Sequence, residues 1–197
     1  GANLTDPVFH EDRDDVLSRA HDAGVVGVII TGTSTTDSAH AARLAQRHPH
    51  LWSTAGVHPH DAKSVDPNWL GDLEKIAKTE EKVIAIGETG LDFKRNFSPP
   101  EVQREIFSKQ IELAQKLNLP LFVHDRDSEG ETARLLLEHA AKNVVIHCFT
   151  GSRKDLDTYL NAGFSIGITG WVCDERRGFD LAELVQHIPD EKLMIET

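Results

Sequence analysis

The sequence predicts an α/β fold that closes as a TIM (β/α)8 barrel, and three observations carry that expectation. Short runs rich in Val, Ile, Leu and Phe recur along the chain, each followed by a turn and then by a stretch with helical periodicity. The runs are almost continuously apolar, as strands covered by helices on both faces must be. Nearly every run ends in an ionisable residue, and the carboxyl ends of parallel barrel strands are where reactive groups sit. A chain of 197 residues has room for one full hydrophobic core, so residues 1–197 are expected to form a single barrel domain.

The elements follow in order. "GANL" at residues 1–4 reads as the tail of a first strand. Seven further runs follow: "VVGVIIT" (25–31), "LWSTAGV" (51–57), "KVIAIGE" (82–88), "LPLFVHD" (119–125), "NVVIHCF" (143–149), "FSIGITG" (164–170) and "KLMIET" (192–197). Strict alternation of strand and helix implies parallel strands joined by right-handed crossovers. An open doubly wound sheet would also satisfy this pattern, but a strand total of up to eight favours the closed barrel. Between the runs, helix starts are marked by capping chemistry. Ser98, Pro99 and Glu101 are expected to form a capping box, behind which Val102, Ile106, Phe107, Ile111, Ala114 and Leu117 share one helical face. The same Ser-x-x-acid signal recurs at Ser128 with Glu131 and at Ser152 with Asp155. Asp66 before Pro67 opens another helix, and Gly24 and Gly163 stand where two helices should stop.

Composition excludes several classes. No apolar stretch approaches the roughly 18 residues of a membrane span, and no basic region followed by an apolar run marks a secretory leader. A cytoplasmic location is the simplest expectation. Two cysteines, Cys148 and Cys173, are too few for a disulfide framework, and Cys148, next to a strand-end histidine, is expected to turn away from the pocket into the core. A net charge of −11 argues against coating nucleic acid by bulk electrostatics, though not against gripping one strand end at a metal site.

The strand ends carry the chemistry. Counting "GANL" as the first strand, the third run leads into His58 and His60, the fourth into Glu88 and Asp92, the fifth into His124 and the sixth into His147. A lone strand-end histidine is ordinarily a hydrogen-bonded structural residue. Four successive strands ending this way are hard to assign to coincidence, and parallel pairing would bring them to one mouth. Glu88 is the sharpest case, since a charge that ends a wholly apolar strand is costly unless a cation or partner compensates it. Asp92 is weaker, as a loop carboxylate can simply orient a ligand. Imidazole with carboxylate suits a divalent cation, which would acidify bound water, so hydrolysis is the natural reaction class. Arg126, Trp171, Arg176 and Arg177 are candidates for holding a substrate's phosphate or base, with Lys94 and Arg95 adding charge near the mouth; a solvated loop over a core Trp is the equal alternative. His10, His21, His40, His48, His50, His139 and His187 read as surface residues.

"GVHPH", "AIGETGLDF", "VHDRD", "HCFTG" and "IGITGWVCDERRG" followed by "KLMIET" resemble the TatD family of metal-dependent deoxyribonucleases over essentially the whole chain. The resemblance implies a TIM-barrel hydrolase and a 3′–5′ exonuclease on single-stranded DNA ends. It implies one or two divalent ions, Mg²⁺ or Mn²⁺ with Zn²⁺ as a further option, and no obligate protein partner. Glu88, His124 and His147 match the family's metal ligands and are expected to act in catalysis. His58 matches a histidine beside metal and substrate, and His60, Arg126, Trp171, Arg176 and Arg177 are expected at the substrate. Two departures stand out. Asn3, Leu4 and Thr5 occupy the place of a His-x-His that supplies ligands in many relatives. The family also continues "IET" into "DAP", whose Asp is a ligand and general base, so residues 1–197 are expected to be a barrel incomplete at its C-terminus and inactive alone. An editing deacylase or amidohydrolase on the same scaffold, and a metal-binding fragment without turnover, are the alternative readings.

Overall fold

Strand, turn and helix alternate throughout the computed structural model, which describes residues 1–174 and 178–196. The elements run α1 (Arg13–Asp22), β1 (Val28–Ile30), α2 (Thr35–Gln46), β2 (Leu51–Ala55), α3 (Trp69–Thr79), β3 (Val83–Asp92), α4 (Pro100–Leu117), β4 (Leu121–Arg126), α5 (Glu131–Glu138), β5 (Val144–His147), α6 (Arg153–Asn161), β6 (Ser165–Ile168), α7 (Phe179–Val185) and β7 (Leu193–Ile195). All seven strands are parallel and lie in sequence order in one sheet. The sheet curls as the wall of a TIM-type barrel. "GANL" contributes a single parallel bridge, Ala2 to Ile30, at one edge, while the Gly1 amino group lies 2.9 Å from Glu196 Oε2 beyond the other. Residues 1 and 2 thus occupy the place between β1 and β7.

The core follows from the apolar runs. Ile86, Leu121, Val123, Ile146 and Ile166 of the strands are buried against Phe107 and Ile111 of α4 and Leu136, Leu156 and Tyr159 of α5 and α6. Removing such side chains from water is the main stabilising contribution. The predicted face of α4 is the one that packs inward, with Val102 and Leu117 half-buried at its ends. Among the described residues no helix is long and apolar enough to cross a membrane.

Three local expectations change. Only Val28–Ile30 of the first long run is strand, and Val25 and Val26 are exposed. Ser98 does not cap α4. The helix starts at Pro100, while the buried Ser98 hydroxyl accepts from Lys63 N–H (3.1 Å) and donates to the His60 carbonyl (2.9 Å). Ser128 also lies outside its expected box, because Gly130 in a left-handed conformation stands at the start of α5. The Ser152–Asp155 capping box forms as expected, and Gly24 (φ 92°) and Gly163 (φ 79°) follow α1 and α6.

Two buried glutamines of α4 tie the helix to the strand ends. Gln110 accepts from Val57 N–H (2.8 Å) and donates to the Val57 carbonyl (3.0 Å). Gln103 accepts from Asp92 N–H (2.8 Å) and donates to the Ser98 carbonyl (2.7 Å). A buried backbone group left unpaired costs about 1–3 kcal/mol, so these amides fix the segments that carry His58 and Asp92.

Candidate metal centre

Four strands converge on one carboxylate oxygen. The register between β3 and β4 slips between Gly87 and Thr89, so Glu88 sits at an irregularity, and its N–H donates across the barrel to the Gly32 carbonyl (2.7 Å). A bulge of this kind re-aims a side chain. Glu88 Oε1 then lies 3.3 Å from His58 Nε2, 3.2 Å from His124 Nδ1 and 2.9 Å from His147 Nε2. His58, Glu88 and His124 form a compact group whose ligand-capable atoms all lie within 4.8 Å of one another. His147 reaches the same oxygen from β5, where it pairs in register with His124.

Each imidazole is held from behind. The His58 backbone N–H donates to the Thr33 carbonyl, fixing the residue, and its ring Nδ1 accepts from the His60 backbone N–H (3.1 Å), which leaves Nε2 for Glu88. His124 Nε2 lies 3.4 Å from Asp92 Oδ2, yet it is buried with no hydrogen bond of good geometry. His147 Nδ1 donates to Glu196 Oε2 (2.7 Å), which fixes Nε2 toward Glu88. The other Glu196 oxygen accepts from Cys148 N–H (3.0 Å). This carboxylate is seated over Gly167, where a Cβ would come within 1.6 Å of Oε1, so a larger residue there would push Glu196 away from its partners.

The electrostatics follow from this packing. Burial alone would raise Glu88, but hydrogen bonds from His124, His147 and His58 hold its carboxyl well below the usual range. Burial works against the charged form of His147, and Glu196 and Glu88 outweigh it, lifting the imidazole to about 10. His124 is likewise raised by Asp92 and Glu88 despite burial, whereas burial wins at His58 and lowers it. Glu196, pushed up by burial and down more strongly by His147, falls to about 2. Without a cation, positive charge therefore collects on His124 and His147 around a buried carboxylate.

Asp92 does more than expected of a loop carboxylate. It is fully buried, takes Arg95 N–H on Oδ1 (2.8 Å), and on Oδ2 faces His60 Nε2 at 2.6 Å. His60 is thereby placed at the rim, edge-on to the exposed Phe97 ring. Behind His124, the Asp125 carboxylate accepts from Tyr159 and Thr132 hydroxyls, fixing the end of β4 to α5 and α6.

The expected substrate-holding residues are partly brought together. Arg126 and Trp171 line one cleft of about 640 Å³ with Thr150, Gly151 and residues of α7. Trp171 also packs partly against the core. Arg176 and Arg177 lie outside the described residues. Lys94 is exposed and pairs with Asp127 (3.3 Å). Cys148 departs from expectation: β5 ends at His147, so alternation no longer applies, and the residue adopts φ 48° and stays half-buried with Sγ 3.7 Å from Thr169 Oγ1. None of the seven remaining histidines is buried. Glu196 is the site residue that sequence reasoning passed over, although it shares the signal that marked Glu88, a charge ending an apolar strand.

The chain is similar to known proteins along its whole length. A family model described as TatD related DNase matches residues 1–197. A protein of Salmonella typhimurium named 3′-5′ ssDNA/RNA exonuclease TatD is 49% identical over all of this chain and 76% of its own length, and the Pantoea sp. (strain At-9b) protein of the same name is 50% identical with the same coverage. Among solved structures, YJJV, a TatD homolog from Escherichia coli K12, superposes with a TM-score of 0.92 at 27% identity, over 99% of this chain and 76% of that one. A TatD family hydrolase from Entamoeba histolytica gives 0.89 at 34% identity, over 100% and 71%. With the family model spanning every residue and half of all positions shared with relatives, the chain belongs to the family of TatD-related DNases.

Proposed function

We propose that this protein hydrolyses phosphodiester bonds at the 3′ end of single-stranded nucleic acid, with a divalent cation held by Glu88, His124 and His147 and with His58 beside it. The observation that carries the reading is the crowding of three imidazole nitrogens within 3.3 Å of one buried carboxylate oxygen. One oxygen has too few lone pairs to satisfy three donors well, and on the far side of the His124 ring the buried Nε2, 3.4 Å from Asp92 Oδ2, has no hydrogen bond either. A cation among these groups would take the place of the imidazole protons, so the donor set fits. Histidine and carboxylate ligands accept Mn²⁺ or Zn²⁺ readily, and Mg²⁺ less so as histidines accumulate. Among the described residues the one group of three ligand-capable side chains is His58, Glu88 and His124, with His147 2.9 Å from the same Glu88 oxygen, which supports a single cation shared by these four, and Asn3, Leu4 and Thr5 at the first-strand position offer neither imidazole nor carboxylate.

When bound, the cation would acidify a water and neutralise charge on the phosphate. The protein's own residues do the remaining work. Glu196 fixes His147 by a hydrogen bond, and His124 lies between the Glu88 and Asp92 carboxylates at 3.2 and 3.4 Å. His60, fixed by Asp92 at the rim, and Arg126 with Trp171 in the adjacent cleft would hold phosphate and base. The aspartate that the family carries after "IET" lies outside residues 1–197, so metal binding and turnover are read separately. The test is Mn²⁺ titration alongside turnover of 3′-labelled single-stranded DNA, RNA and aminoacyl-tRNA. In a chain continued through that aspartate, Mn²⁺-dependent loss of nucleotides from the 3′ end is expected, residues 1–197 alone are expected to bind Mn²⁺ without turnover, and turnover of the aminoacyl ester alone would overturn the reading.

The raised His147 makes a pH prediction. Its folded value lies above the ordinary 6.5, so in the metal-free protein its imidazolium contributes stability that is fully present below about 6.5 and lost as pH rises through about 10. A ligating imidazole is neutral, so the cation competes with that proton. Mn²⁺ affinity is expected to rise with pH between 6.5 and about 10, with proton release. Calorimetry in HEPES and Tris should give binding enthalpies that differ by the buffers' ionisation enthalpies, and identical enthalpies would refute it.

Glu196→Gln is expected to weaken Mn²⁺ binding by roughly 10–100-fold, the usual cost of losing a carboxylate behind a ligating histidine. Glutamine keeps one acceptor, and it cannot serve both His147 Nδ1–H and Cys148 N–H as an anion. A variant that folds normally and binds Mn²⁺ like the parent would show that Glu196 does not orient His147.

A further inference from the structure

The molecule is strongly acidic, yet three arginines and two histidines meet in one place away from the metal centre. A cleft of about 190 Å³ between α1 and α2 is lined by Thr5, His10, Arg13, His40, Arg43, Leu44 and Arg47. His40 and Arg43 lie one turn apart on α2 and Arg47 stands at its C-cap, continuing the same spacing, with the buried Leu44 as floor. Arg13 is anchored from the opposite side by donating Nε–H to the Leu4 carbonyl (2.8 Å), so its guanidinium is fixed at the cleft wall. The nearby acids are used elsewhere: Asp14 faces His48 at 3.8 Å and Asp12 faces Arg19 at 4.0 Å. Among the described residues no carboxylate lies within 4 Å of Arg13, Arg43 or Arg47. In a chain of net charge −11, arginines are ordinarily drawn into ion pairs, and three left facing one cleft define a local anion site.

Its position says which anion. Ala2 pairs with Ile30, so Thr5 lies past the carboxyl end of the sheet, at the level where the Gly32 and Thr33 carbonyls receive Glu88 N–H and His58 N–H. Only the Thr5 end of the cleft is therefore level with the rim that bears the candidate metal centre; α2 starts at that rim with Ser34 and runs away from it, carrying the cleft down the outside of the barrel from His40 to Arg47 over roughly 10 Å. We infer that this cleft binds backbone phosphates of the single strand upstream of the 3′ end being cleaved. The inference rests on the nuclease reading and extends it: the exit track holds the strand by charge, without base readout, and favours long substrates.

The test is fluorescence anisotropy of labelled dT20 and dT4 with the protein in EDTA, over a salt series, for the parent and for Arg43→Ala, Arg47→Ala and the double variant. Both positions are exposed, Arg43 within α2 and Arg47 at its C-cap with helical backbone angles, so alanine is well tolerated. The double variant is expected to bind dT20 roughly tenfold more weakly at low salt, and to lose about 0.7 from the salt slope for each arginine removed. Binding and Mn²⁺-dependent turnover of dT4 should stay unchanged, and Arg47→Lys should restore most of the slope. Equal dT20 affinity and slope in parent and double variant would overturn the inference. Tighter binding of polyglutamate than of dT20, lost in the double variant, would assign the cleft to an acidic protein segment instead. With the parent continued through the aspartate after "IET", degradation of dT20 with Mn²⁺ without binding in EDTA rejects the track and keeps the nuclease, whereas neither degradation nor binding rejects both.

Discussion

Glu88→Gln is expected to lower Mn²⁺ affinity by at least about 100-fold and to abolish nucleotide release in parallel. The carboxylate is buried, and all three imidazole nitrogens that surround it lie within 3.3 Å of a single oxygen. Removing one partner from a buried charge pair costs about 3–5 kcal/mol, and 1.4 kcal/mol is a factor of ten. Glutamine matches the shape and loses the charge, so the change isolates electrostatics. It also places an amide NH₂ among nitrogens that are already donors when protonated. The raised values of His124 and His147 depend on Glu88 together with Asp92 and Glu196, so in the variant both imidazoles should lose part of their proton affinity. Any residual metal binding should then release fewer protons. Circular dichroism and thermal unfolding check that the barrel survives. An unchanged Mn²⁺ isotherm in a folded Glu88→Gln protein would remove the proposed centre altogether.

Much of this site was legible because a parallel barrel turns strand order into spatial order. Once the apolar runs are read as β2 to β5, the residues ending them are bound to share a rim, and His58, Glu88 and His124 form one group there with His147 2.9 Å from the same Glu88 oxygen. What stayed hidden needed information that periodicity does not carry. Ser98 had the neighbours of a capping residue, but tertiary packing turned its hydroxyl to the His60–Lys63 turn. Cys148 was read by alternation one residue after the strand had ended. Glu196 fell at the end of the last apolar run and looked like a tail, because its partners lie 48 and 49 residues away in sequence. Asp92 was seen, though its pairing with His60 and its approach to His124 depend on the bulge at Glu88 and on Gln103 gripping its backbone. The basic cleft was present as a spacing on α2, yet a helical stripe of arginines gains meaning only when α1 closes the other wall.

Gly90→Ala is expected to cost more than about 4 kcal/mol and to leave little folded protein, since whole domains are stable by only about 5–15 kcal/mol. Gly90 pairs in register with His124, and a Cβ there would lie 1.9 Å from the His124 carbonyl oxygen. No flexible side chain is available to yield, because the obstacle is backbone. The residue also holds φ at 135°, a conformation that L side chains rarely adopt, so strain adds to the clash. The sheet can relieve both only by parting β3 from β4. That displaces His124 from Glu88 and Asp92, so whatever fraction folds should bind Mn²⁺ poorly as well. Gly71→Ala is the matched control. Gly71 lies within α3, nothing stands within 4 Å of its Cβ position, and exchanging a helical glycine for alanine should add roughly 0.5–1 kcal/mol. Urea unfolding of the two variants against the parent gives opposite signs if close strand approach is what glycine provides at position 90. Soluble Gly90→Ala protein with the parent's midpoint would show that β3 and β4 have slack at the metal centre.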